Sequence, residues 1–85
     1  FLMQQMEWRE ELAEITEHTD PLTALESLEY EINQTIKSDL SKLRDLLASD
    51  DTMAEQNAAN IIRQLKFSYK MLSEIELKED VLSDF

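Results

Sequence analysis

The chain has no cysteine and no glycine, and Pro21 is its only proline. Without thiols there is neither a disulfide framework nor a thiolate metal site, which suits a reducing compartment. No apolar run approaches the ~20 residues that a membrane span needs. Basic residues are scarce, 8 Lys and Arg against 19 Asp and Glu. The resulting net charge of −11 repels nucleic acid and anionic membrane surfaces overall. What remains is rich in Leu, Ile, Ala, Met, Glu, Lys and Gln, the composition of long helices. At 85 residues it makes one small domain with a modest core. It opens on Phe1, so it reads as a fragment or an excised domain.

Three helices are expected. The first runs from Phe1 to about Glu17, before His18, Thr19, Asp20 and Pro21 break the pattern. Asp20 suits a helix N-cap and Pro21 the first helical position, where its missing donor costs nothing. The second runs from Pro21 to about Ala48, with Leu22, Leu25, Ile32, Ile36, Leu40, Leu43 and Leu47 in one band and Leu28 and Leu46 beside it. At 1.5 Å per residue it spans ~40 Å and forms the spine. Ser49, Asp50, Asp51 and Thr52 read as a turn. Thr52 and Glu55 have capping-box spacing, and Asp50 and Asp51 favour the positive end of the next helix dipole. The third helix runs from Thr52 to about Asp84. Ala54, Ala58, Ile61, Leu65, Tyr69 and Leu72 form its expected core stripe, with Ile62 and Ile75 at the margins. Phe67 and Met71 fall off that stripe, the ring lying between Arg63 and Lys70 in sequence. Short connections favour antiparallel neighbours, so the expected fold is all-α, an antiparallel up-down-up three-helix bundle. Trp8 should then lie level with Asn33 and Ser68.

The first helix carries more apolar surface than such a bundle consumes. At about 100° per residue, Phe1, Trp8, Leu12 and Ile15 make a core stripe, while Leu2, Met3, Met6 and Ala13 lie roughly 150° around. A helix at the edge of a small domain needs only one stripe. Two explanations of the second one stand side by side. It is covered by another domain or a terminal segment, or it is a surface for a separate protein, to whose contours methionine adapts well.

Other chemistry finds little footing. His18 is the only histidine and reads as a surface or capping residue. A carboxylate-bridged metal centre wants Glu-x-x-His on inward faces, whereas Glu14 precedes His18 by four. Glu7, Glu10, Glu11, Glu14 and Glu17 read as a solvated acidic face, Glu7 and Glu10 bordering the Met6 stripe. No Ser or Thr has a base arranged beside it, and nothing resembles a phosphate-cradling loop. No catalytic residue, metal or cofactor is expected.

The residues Phe1-Leu2-Met3-Gln4-Gln5-Met6-Glu7-Trp8-Arg9-Glu10-Glu11-Leu12 resemble the F-L-M-x-Q-x-E-x-R-E-E-L segment that opens the C-terminal domain of HscB-type co-chaperones. Ile62-Arg63-Gln64-Leu65-Lys66-Phe67 is similar to that family's third-helix motif, and the chain closes on Asp84-Phe85 as members often do. About 18 residues at each end carry the resemblance, while helix 2 matches in length and pattern only. Met6 departs from a common leucine, keeping the apolar volume, and Trp8 replaces an aliphatic residue on the core stripe.

The resemblance implies a three-helix module that binds the iron–sulfur scaffold protein IscU. An N-terminal J-domain in the same family engages a specialised Hsp70, HscA. The J-domain's His-Pro-Asp tripeptide is absent here, so this chain is not expected to stimulate ATP hydrolysis. Scaffold-binding positions of the family carry over to Leu2, Met3, Met6, Glu7, Arg9, Glu10, Glu14 and Phe67. The implied setting is the bacterial cytoplasm. Two rivals are a structural module that self-associates through the same stripe and an acidic decoy for basic proteins.

Overall fold

The computed structural model describes residues 1–50 and 52–84. It contains α1 (Leu2–Ala13), a 3₁₀ turn (Ile15–Glu17), α2 (Pro21–Leu47) and α3 (Ala54–Ser83), with no strand among the described residues. The long helices set a rod of 53 × 20 × 15 Å.

Register follows from the side-chain contacts. Phe1 meets Phe67 and Arg9 meets Glu74, so a step of 8 residues along α1 matches one of 7 along α3. These helices therefore run parallel. On α2, Thr35 and Asp39 share a cleft with Gln64, while Leu22 and Glu26 share one with Glu79 and Ser83. Higher numbers on α2 meet lower ones on α3, so that pair is antiparallel and the bundle is up-down-up.

Local chemistry explains most helix ends. Asp20 caps α2: its Oδ1 accepts from the Thr23 N–H at 3.3 Å and its Oδ2 from the Thr23 hydroxyl at 2.7 Å. Pro21 occupies the first turn as expected. The first helix is shorter than expected. It ends at Ala13, and the chain tightens into the 3₁₀ turn, a common way to finish a helix. The tighter winding swings Ile15 fully into the core. The third helix begins at Ala54, two residues late. Met53 is its N-cap without a side-chain cap bond, so the expected box between Thr52 and Glu55 does not form. The expectation for Asp51 lies outside the described residues.

The core comprises Trp8, Ile15, Leu25, Leu28, Ile32, Ile36, Ile61, Leu65, Met71 and Ile75. Ala54 and Ala58 are buried near the turn between α2 and α3, where small side chains let backbones approach. Leu25, Ile32, Ile36, Ala54, Ala58, Ile61 and Leu65 are buried as expected, but the periodicity set the edge of each long helix's inward face too far to one side. Tyr69, expected in the core, is 50% exposed, and Leu22, Leu40 and Leu47 are exposed as well. Met71, expected outside, has no exposure, and Leu28, expected beside the band, is buried. The cause is α1, which packs against the Phe67–Met71 side of α3 and draws the inward face of each long helix toward itself.

Candidate docking face

Helical spacing puts Arg9, Leu2, Ala13, Met6, Glu10, Met3, Glu14 and Glu7, in that angular order, on one arc of about 160°. Trp8 occupies the opposite side and is fully buried. Apolar residues on both sides nearly cancel the amphipathicity of α1, which fits a helix with two surfaces to satisfy.

On the outward arc, Leu2 is 69% exposed, Met3 74% and Met6 64%. Nothing in the bundle covers them to an appreciable degree. Glu7, Glu10 and Glu14 are exposed around them. Glu14 closes α1, its N–H donating to the Glu10 carbonyl at 3.1 Å. The face is therefore an apolar centre with carboxylates along one side.

Its other side is anchored to α3. The Arg9 guanidinium lies 5.3 Å from the Phe67 ring centroid and 3.8 Å, Nη1 to Oε2, from Glu74. Both ion-pair partners are well hydrated, so the pair contributes little energy and mainly sets direction. Phe67 itself is half-buried. Its ring stacks on Trp8 at 6.1 Å and 7°, and Phe1 meets its edge at 6.1 Å and 88°. Phe67 is thus not a spare apolar group on the far side of α3, as its position off the stripe suggested. It is the joint that seats α1, and Arg9 rather than Arg63 or Lys70 caps it. Arg63 instead donates to the Asn60 Oδ1 at 2.9 Å.

Of the eight positions singled out from the sequence, six lie in α1, Glu14 is its C-cap, and only Phe67 comes from α3. Glu74 was missed, and Phe1, expected in the core stripe of α1, is instead exposed while its ring meets Phe67. Glu74 follows Phe67 by seven, two turns along the same face of α3, so one Arg9 side chain meets both.

The remaining electrostatics lie behind this face. Burial raises the proton affinity of Glu11, and Glu31 across on α2 adds to it. His18 is exposed at the end of the 3₁₀ turn, its N–H donating to the Ile15 carbonyl at 3.2 Å. Among the described residues no group of His, Asp and Glu is arranged to hold a metal ion. No helix among them is long and apolar enough to cross a membrane.

Residues 1–76 match the family described as the HSCB C-terminal oligomerisation domain. A co-chaperone protein HscB homolog of Pseudoalteromonas atlantica is 56% identical over the whole chain, which covers 49% of that relative. Homologs of the same name from Shewanella amazonensis and Photobacterium profundum are each 45% identical over 99% of the chain, covering 48% and 47% of their lengths. The chain thus spans about half the length of these bacterial relatives. No solved structure gives a significant match. With the family matched along most of its length, the chain belongs to the HscB C-terminal domain family.

Proposed function

We propose that this chain is a protein-binding module, not an enzyme, that docks an IscU-type iron–sulfur scaffold protein in the bacterial cytoplasm. A J-domain elsewhere in the longer co-chaperone presents the cargo to an HscA-type Hsp70. The observation carrying this reading is the exposure of Leu2, Met3 and Met6 on one face of α1. Full burial against a partner is worth up to ~1.5–3 kcal/mol for each such side chain. Glu7, Glu10, Glu14 and Arg9 ring that centre, fixing orientation and rejecting wrong partners more than adding affinity. Phe67 works from beneath, holding Arg9 and the Trp8 side of α1 in place. Presentation to the Hsp70 then operates by tethering, which raises the effective concentration of cargo at the chaperone.

The test is calorimetric titration with the scaffold protein, comparing the native chain with the double variant Leu2→Ala, Met6→Ala. Affinity should fall at least tenfold, about 1.4 kcal/mol, while the unfolding transition stays put. Undiminished binding by the folded variant would remove the proposal. The family's description favours a second reading, self-association through the same face. Sedimentation over a wide range of concentrations separates the two, because a chain that stays monomeric leaves the face free for a different protein.

A further inference from the structure

The α2 core stripe of Ile32 and Ile36 continues, three residues on, into a carboxylate. Asp39 is only 5% exposed, and its Oδ2 is shut off from water with no hydrogen-bond partner. Burial raises its proton affinity, partly offset by Lys42, which makes no ion pair with it. A buried acceptor in this condition asks for a donor.

Asp39 forms part of the wall of a cleft of about 350 Å³ at the amino end of α1. All three helices contribute, with Phe1 and Gln4 from α1, Thr35 and Ser38 beside Asp39 on α2, and Gln64 from α3. The lining is rich in acceptors. Gln4, Gln64, Ser38 and Thr35 can each offer an acceptor oxygen beside the carboxylate, and Thr35 already spends its own proton on the Glu31 carbonyl at 3.1 Å. The half-exposed Phe1 adds an aromatic ring to the lining.

We propose that this cleft is a subsite for one arginine side chain of a docking polypeptide, with Asp39 as its counter-charge. A guanidinium is planar, carries five donors, sheds water more readily than an ammonium and stacks on aromatic rings. Each property answers a feature of the cleft. A compact ammonium, strongly hydrated and with three donors, leaves more acceptors unmet. Lys42, which also lines the cleft, competes with the incoming cation. The net charge of −11 steers a basic segment toward the molecule. The site is separate from the Leu2–Met6 face, and its test uses neither that face nor the scaffold protein.

The test is an amide NMR titration of this chain with a capped Gly-Arg-Gly peptide, run beside its citrulline counterpart, its lysine counterpart and free arginine. The side-chain amide signals of Gln4 and Gln64 should shift saturably with the arginine peptide, at least several-fold more tightly than with the other three. Asp39→Asn should abolish the response, and Lys42→Ala should tighten it several-fold. An equal response to citrulline or lysine overturns the guanidinium assignment, and an equal response to free arginine overturns the polypeptide source. No movement at Gln4 and Gln64, or undiminished binding by a folded Asp39→Asn chain, overturns the site. Should that variant fail to fold, the citrulline and Lys42→Ala arms decide.

Discussion

Trp8 shows how much one position carries. It is the largest fully buried side chain, stacked on Phe67 from α3. Trp8→Ala should cost about 3–5 kcal/mol in urea unfolding followed by circular dichroism. Phe67→Ala removes a half-buried ring and should cost about 2 kcal/mol, below the range for fully buried phenylalanine. Met6→Ala should stay within about 0.5 kcal/mol, since its side chain is mostly in water. Ser68 gives the opposite sign. It has no exposure and its hydroxyl has no partner, so Ser68→Ala should stabilise the fold by up to about 1 kcal/mol. Leu2, Met3 and Met6 were legible in the sequence because an edge helix cannot bury two stripes. Phe67, Met71 and Tyr69 were not, because a single helical wheel gives the spacing of a stripe but not the direction from which neighbours approach. Asp39 was hidden for another reason: a charged residue at a core position is read as a gap in the stripe, not as a member of it.

Among the elements, α1 is the least secured. Its twelve residues contribute one buried side chain, Trp8, whereas α2 and α3 bury several each along their lengths. Hydrogen exchange should therefore find the amides of α1 opening first, at lower free energy than the centres of α2 and α3. Equal protection in all three helices would contradict this picture. The consequence for docking is direct, since Leu2, Met3 and Met6 share one presented face only while α1 is helical and seated. Helix existence and order were readable from periodicity and from Asp20–Pro21. The late start of α3 was not. The Thr52–Glu55 spacing is a local signal, and the chain's need to seat Ala54 and Ala58 against α2 outweighed it.

At the scale of the molecule, charge is unevenly distributed. Glu26, Glu29, Glu79 and Asp80 crowd the end where α2 begins and α3 finishes, and burial together with these neighbours raises the proton affinity of Glu79. Asp39 and Glu11 are raised as well, each chiefly by burial. For these groups the folded state binds protons more tightly than the unfolded one, so their effect on stability improves as pH falls from neutral toward the ordinary 3.8–4.5 range. Asp20 has the reverse sign. Its hydrogen bonds from Thr23 hold its pKa below 3.8, and the stability it lends is lost as pH falls through that lowered value. Tm should therefore rise on mild acidification and fall again in stronger acid, as calorimetry across a pH series would register. Added salt at neutral pH should also raise Tm, by screening the repulsion of a chain carrying −11. A flat pH profile would sink the electrostatic account.

The stack beneath Arg9 also equips the protein with its own optical gauge. Trp8 is the single tryptophan, its indole N–H is sealed from water, and a phenyl ring from another helix lies flat against it. Native emission should accordingly sit at short wavelength, and it should move to the red when α1 lifts away from α3. If that happens while α2 and α3 remain paired, the fluorescence midpoint in denaturant will precede the ellipticity midpoint, timing the undocking of one helix without any added dye.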